Sequence, residues 1–278
     1  MRRRGARIGW LAAIGPALVL AACGSGGDGG ASATSSPRAA HTPPQRTDLA
    51  SVAARSHVPV LCYHQIRAPR PGDGPQERPY IVDPRAFARQ MAALDRAGYR
   101  TVSADAVAAH LSRGTPLPPR PVLLTFDDGT AGQYRTALPI LRRHGFTAAF
   151  FPMTVALGKP GWMTRRQVRD LDRRGMTIGA HTWDHHAVTE YGDADWARQI
   201  DAPVRDLARM IGHPVRLFAY PYGRYTPAAI PHLWQAGLTA AFQLSGEVDP
   251  QHPMWSIRRI IVPGWSGRRL LRELRHDF

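Results

Sequence analysis

From residue 58 onward the chain alternates short, continuously apolar runs with segments of helical period, and this alternation restricts its fold more than any other feature. Val58–Tyr63, Tyr99–Val102, Val122–Phe126, Phe146–Met153, Met176–Ala180, Val215–Ala219, Leu238–Phe242 and Ile257–Val262 read as strands. None shows a polar alternate face, so each is buried on both sides, as in a parallel sheet covered by helices. Phe87, Met91 and Leu94 recur at helical spacing, and Gly98 closes that segment. Ser103 caps a helix running through Leu111. A helix over Gln133–His144 stops at Gly145, and Thr164 with Gln167 makes a capping box ahead of Val168 and Leu171. Further helices lie near 193–211, 227–236 and 266–276. The expected class is α/β, a distorted (β/α) barrel of about seven units, with an open doubly wound sheet as the alternative. In both, chemistry belongs where strands end and loops begin.

The segment ahead of this pattern reads as an address. Arg2, Arg3, Arg4 and Arg7 precede an uncharged stretch from Ile8 to Ala22, shorter than a membrane span and interrupted by Gly9, Gly15 and Pro16. It ends Leu20-Ala21-Ala22-Cys23, which looks like a bacterial lipobox. The expectation is a lipoprotein signal over 1–22, lipidation at Cys23, and a flexible Gly/Ser/Ala/Pro linker over 23–55. Export and anchoring to the outer face of the bacterial cell membrane follow, with two or more acyl chains for a stable hold. Residues 56–278 are expected to be the catalytic domain, acting as a monomer. Cys62 is then a solitary cysteine in an apolar run, which reads as a buried, inert thiol.

Four strand exits carry unusual polar residues. Val122–Phe126 runs into Asp127-Asp128-Gly129. Asp-Gly alone reads as a turn, but two adjacent carboxylates at a strand exit can divide labour, one holding a metal and the other taking a proton from water. Met176–Ala180 runs into His181-Thr-Trp-Asp-His185-His186. Imidazoles four or five residues apart can converge on one ion, and two His with a carboxylate suit zinc or another first-row divalent ion; a solvated His-rich loop is the alternative. Val215–Ala219 runs into Tyr220-Pro221-Tyr222-Gly223-Arg224, a rigid aromatic loop suited to a sugar ring, or a plain turn. The first strand exits at His64, either a catalytic acid or a capping side chain.

Taken together, Thr125-Phe-Asp-Asp-Gly129, His181-Thr-Trp-Asp-His185 and Phe218-Ala-Tyr-Pro-Tyr-Gly223 resemble the principal motifs of NodB-type polysaccharide deacetylases, carbohydrate esterase family four. The resemblance covers about residues 57–265. Ile81–Leu94, Gly98–Val102 and the early Tyr63-His64 are similar to the branch containing biofilm poly-N-acetylglucosamine deacetylases. That resemblance implies Asp127 as general base and Asp128, His181 and His185 as metal ligands, with His186 as an alternative second histidine. It implies the backbone N–H of Tyr222, in the loop begun by Pro221, as an oxyanion donor, and zinc, or else cobalt or nickel, as cofactor. Many relatives carry an arginine where Ala219 stands, so its orienting role falls vacant or passes to Arg258 or Arg259. Leu61-Cys-Tyr-His64 looks like the family's Leu-x-x-His acid motif moved to the first strand, which favours His64 over the C-terminal His276.

The implied activity is hydrolysis of N-acetyl groups on a β-linked N-acetylglucosamine polysaccharide, either poly-β-1,6-N-acetylglucosamine or a cell-wall glycan. The rival readings are an O-acetyl polysaccharide esterase and an inactive, lipid-anchored sugar-binding protein. A formal charge of +15 first suggests nucleic acid, but 35 of the 36 basic residues are arginine, spread along the chain, and four lie in the leader. With no phosphate-binding glycine loop, zinc-finger spacing or basic–aromatic stripe, no nucleic-acid partner is expected.

Overall fold

The computed structural model describes residues 48–244 and 246–278. The signal segment, Cys23 and most of the expected linker lie outside the described residues. The linker's far end needs correction. Leu49–Ala54 form α1, capped by the Asp48 carboxylate, which accepts from the Ala50 N–H. Val52 is fully buried, and the Arg55 side chain donates twice to the Leu111 carbonyl, at 3.2 and 2.7 Å. One apolar residue and one arginine therefore bring 49–55 into the folded body, where a composition-based boundary at 55 excluded them.

The strands are β1 (Val60–Tyr63), β2 (Gln65–Ile66), β3 (Ile81–Val82), β4 (Arg100–Thr101), β5 (Pro121–Asp128), β6 (Ala149–Pro152), β7 (Thr177–Ile178), β8 (Leu217–Ala219), β9 (Ala240–Phe242) and β10 (Ile260–Ile261). The remaining helices are α2 (Pro84–Arg96), α3 (Ala104–Arg113), α4 (Leu138–Arg143), α5 (Arg165–Arg173), α6 (Ala202–Ile211), α7 (Ile230–Gln235) and α8 (Gly267–Asp277). All paired strands run parallel, in the order β10-β1-β5-β6-β7, with β8 and β9 paired apart and β4 set against the start of β5. Two single bridges join these pieces: Ala180 to Phe218, and Phe242 to Ile257. The ring thus reads β10, β1, β5, β6, β7, β8, β9 and back. This is the expected distorted barrel, not an open doubly wound sheet.

Period-two alternation sorts the strand residues into two cores. Val60, Leu123, Ala149, Phe151, Leu217, Ala219, Ala240, Phe242 and Ile257 cluster as the interior. Val52 of α1 and Val107 and Leu111 of α3 join them. Their alternates, Leu61, Tyr63, Leu124, Phe126, Phe150 and Phe218, pack outward against the helices. Phe126 lies between Tyr63, 5.4 Å away, and Phe150, 4.8 Å away, in stacked geometry. Each such pair adds about 0.5–1.5 kcal/mol beyond its buried area.

Helix starts depart from the pattern in a regular way. The expected helix over 133–144 begins as a wider π turn, Gln133–Ala137, before α4, and the expected helix over 193–211 begins as Ala197–Asp201 before α6. Both α-helices carry proline at their second position, Pro139 and Pro203, which has no N–H to donate to the turn before.

Candidate active site

Alternation aims the acidic pair. Leu123 belongs to the interior cluster, so Thr125 and Asp127, at steps of two, face the same way. On β1, Val60 is interior, and Cys62 and His64 follow on that face. In the extended run ahead of β10, Ile257 is interior, so Arg259 points in while Arg258 points out. These three registers converge on one ion pair. Both Arg259 terminal nitrogens donate to the Asp127 carboxylate at 2.7 Å, one to each oxygen, with both residues buried. The fork is fixed by further donation to Thr125 Oγ1 and to the Gln243 carbonyl, each at 3.2 Å. The Cys62 thiol lies 3.5 Å from Asp127 Oδ2 and 3.9 Å from His64 Nδ1. Burial alone would raise the Asp127 pKa; the Arg259 charge outweighs it and holds the carboxyl well below its usual range. Burial pushes the Cys62 thiol well up, so it stays protonated.

The orienting arginine is therefore Arg259. Arg258 instead donates to the Asp277 carbonyl at 2.7 Å and ties the last strand to the end of α8. His276 is exposed on α8 beside Asp277, away from these groups.

Asp128 ends β5 with φ 74°, and Gly129 follows with φ 89°, which only glycine adopts without strain. This left-handed step swings the second carboxylate to the same mouth. Asp128 Oδ1 lies 3.5 Å from His181 Nε2 and 3.6 Å from His185 Nε2. Thr182 and His185 also have positive φ, at 65° and 74°. Such residues cost about 1–3 kcal/mol each and persist where the surroundings hold them, a cost that concentrates at functional sites. The Ala219 carbonyl lies 2.7 Å from His181 Nδ1 and can only accept, so the proton sits on Nδ1 and the Nε2 lone pair faces Asp128.

These three side chains fit a divalent cation. Their ligand atoms all lie within 4.8 Å of one another. Asp128 Oδ1 and His181 Nε2 are buried without a hydrogen-bond partner, which is costly unless something fills the space between them. Burial and His181 lower the His185 pKa to about 4, so its imidazole is neutral and free to ligate. Burial would lower the His181 pKa too, but Asp127 and Asp128 together raise it, the mark of a position that attracts positive charge. His186 stands apart: its Nε2 lies 3.6 Å from Glu190 and its ring lies edge-on to Tyr191. The second histidine of the cluster is His185.

A cleft of about 230 Å³ opens over this cluster, walled by His64, Tyr80, Tyr222 and Leu244 among others. His64 is 8% exposed, its ring edge-on to Tyr80 at 4.7 Å. Burial lowers its pKa, and the nearby aspartates oppose that shift. Tyr222 has φ 59° and a 60% exposed ring set edge-on to His185 at 4.4 Å, with Pro221 buried beneath the loop. A second cavity of about 530 Å³ lies beside the cleft and shares Gln65 and Asp128 with it as walls.

His64, Asp127, Asp128, His181, His185 and Tyr222 thus line one cleft, with Pro221 buried in the loop that carries Tyr222. Sequence reasoning missed Gln133, whose amide donates to the backbone carbonyls of His64, at 2.8 Å, and Asp127, tying the two strand exits together. It also missed Tyr80 as a wall of the cleft and Trp162 as a wall of the second cavity, and read Cys62 as a buried, inert thiol without placing it beside Asp127. The β1 alternation from Val60 through Cys62 to His64 was the available signal for Cys62.

Known proteins share this arrangement of elements. Residues 114–241 match the family model described as polysaccharide deacetylase. The "Putative polysaccharide deacetylase YxkH" of Bacillus subtilis is 26% identical over 215 residues, covering 76% of this chain and 73% of that protein. The poly-beta-1,6-N-acetyl-D-glucosamine N-deacetylase of Escherichia coli is 24% identical over 273 residues, covering 81% of this chain and 40% of that protein. The chain therefore spans less than half of that relative's length. The solved structure of IcaB from Ammonifex degensii superposes with a TM-score of 0.66 at 26% identity, covering 78% of this chain and 97% of that one.

Proposed function

We propose that this chain, which carries a polysaccharide deacetylase domain over residues 114–241, is a metal-dependent hydrolase that removes N-acetyl groups from a β-linked N-acetylglucosamine polysaccharide. The observation that carries this reading is the convergence of Asp128, His181 and His185 beside a second carboxylate, Asp127, that is buried, ionised and held by Arg259. The name of the Escherichia coli relative supports poly-β-1,6-N-acetylglucosamine as the polymer.

Each residue then has a task. A divalent ion held by Asp128, His181 and His185, zinc in first place and cobalt or nickel next, would polarise the acetyl carbonyl and acidify a water. Asp127 accepts the proton of that water; Arg259 keeps its carboxylate ionised and aims it. The Tyr222 backbone N–H donates to the developing oxyanion, a contribution of about 3–4 kcal/mol for one such donor. His64 protonates the departing amine, which leaves poorly as an anion. The buried His64 imidazole favours its neutral form, so it takes up a proton only as the reaction supplies one; Asp127 and Asp128 stabilise that charge. The products are acetate and a free glucosamine unit. Lipidation at Cys23 would hold the domain at the outer face of the cell membrane, within reach of surface glycans.

The test is acetate release from N-acetylglucosamine oligomers of defined β-1,4 and β-1,6 linkage, with added zinc, cobalt or nickel. Release that stops on chelation and resumes on metal addition is the expected result. Release only from O-acetylated glycans would replace this reading with an esterase. Metal-bound protein that releases no acetate from either class would leave a sugar-binding protein.

A further inference from the structure

The cavity of about 530 Å³ beside the catalytic cleft has no part in the steps above. It shares Gln65 and Asp128 with the cleft, so it lies beside the space in which the acetyl group would be hydrolysed. Its volume lies within the range of small-ligand sites and exceeds that of the cleft itself. Trp162 supplies an aromatic wall.

Its charge is one-sided. Arg67, Arg70 and Arg135 line it, and Asp128 is its one acidic wall among the described residues. Arg67 is consumed by structure: its fork binds Asp73 at 2.9 and 2.7 Å and fixes the loop. The side chains of Arg70 and Arg135 are exposed and have no carboxylate within 4 Å among the described residues. Asp128 belongs to the cation cluster, and a bound cation would offset its charge. Two exposed arginines outside any ion pair among the described residues therefore border a sugar-sized space beside the cleft. Guanidinium forks match carboxylates in geometry as well as charge, and they repel an ammonium group.

Resting on the deacetylase reading, we infer that this cavity is a subsite for a carboxylate-bearing sugar adjacent to the N-acetylglucosamine being hydrolysed. By the same charge it disfavours a neighbour already converted to cationic glucosamine. The enzyme then acts preferentially on acidic stretches of glycan and leaves its own product sparsely, not contiguously, deacetylated.

The experiment compares kcat/KM for acetate release from three synthetic tetrasaccharides, each made on β-1,4 and β-1,6 backbones. In one, the sugar next to the N-acetylglucosamine carries a carboxymethyl ether. The second carries the neutral carbamoylmethyl ether, and the third has free glucosamine there. The acid should exceed the neutral amide by about three- to tenfold, as expected for two partly solvated charge contacts, and the glucosamine oligomer should be slowest. The preference should shrink in about 0.5 M salt. In the Arg70→Gln, Arg135→Gln double variant the acid-to-amide ratio should fall to about one. Both side chains are exposed, so folding is preserved and a matching melting temperature confirms it. Equal rates on acid and amide in the parent, or a preference that survives the double variant, overturn the subsite while leaving the deacetylase reading intact. Absence of release from every oligomer overturns both.

Discussion

Replacing Arg259 by methionine tests the arrangement at its most sensitive point. Arg259 is fully buried, Asp127 is 1% exposed, and the two are joined by a fork with both contacts at 2.7 Å. Methionine fills similar volume but leaves the carboxylate buried without a countercharge. Breaking one side of such a pair costs about 3–5 kcal/mol. At about 2–4 °C per kcal/mol for a domain of this size, the melting temperature should fall by about 6–20 °C. The sign of the pH dependence is fixed by the same pair. In the parent, Asp127 has a depressed pKa, so its contribution is present above the unfolded carboxylate value, about 3.9, and is lost as pH falls through the folded one. In the variant, burial acts unopposed and raises that pKa, so the penalty is present at neutral pH and is relieved on acidification. The gap in melting temperature between parent and variant should therefore narrow from about pH 7 toward pH 4. Adding Asp127→Asn to Arg259→Met should recover most of the lost stability, because the buried group is then neutral, while activity stays absent. The assay is thermal unfolding across pH, with acetate release alongside. A single variant that melts within about 2 °C of the parent, or a double variant no more stable than the single, would refute the reasoning.

Three further outcomes follow from the geometry. His64→Gln should lower turnover by about 10²–10⁴-fold while bound metal, measured by elemental analysis, stays at the parent level. His185→Ala should lose that metal, whereas His186→Ala, whose side chain faces Glu190, should retain it. Gly132→Ala would place a methyl group 2.3 Å from the Ile66 carbonyl oxygen. It should cost about 1–3 kcal/mol in thermal unfolding and raise KM, since Ile66 and Gly132 both border the second cavity.

What the sequence disclosed and what it withheld divide along one line. Asp127-Asp128, His181 with His185, and Tyr222 were readable because each group is contiguous in the chain and sits at the exit of an apolar run. The barrel was readable from the alternation of those runs. The choice between Arg258 and Arg259 was not, because adjacent strand residues face opposite sides and a one-residue slip exchanges them. Ile257 in the interior cluster settles it for Arg259. For the second histidine the sequence favoured His185 and kept His186 open; what separates them is left-handed residues at 182 and 185, neither of them glycine, where the loop reverses. Gln133 was hidden because a glutamine at the start of a helix reads as solvent-facing, and only the π turn brings its amide beneath the two strand exits.

The barrel's seams have a consequence for timing. Asp127 and Arg259 lie 132 residues apart, and the ring closes beside the last strand through the single bridge from Phe242 to Ile257. A chain emerging from its N-terminus delivers β1, β5 and both carboxylates early, and the guanidinium only later, just ahead of β10. Once Arg259 docks, its fork supplies the countercharge to the Asp127 carboxylate in the barrel interior. A cut between residues 244 and 257 would keep Asp128, His181 and His185 but remove Arg259, so under the proposed mechanism bound metal should outlast acetate release.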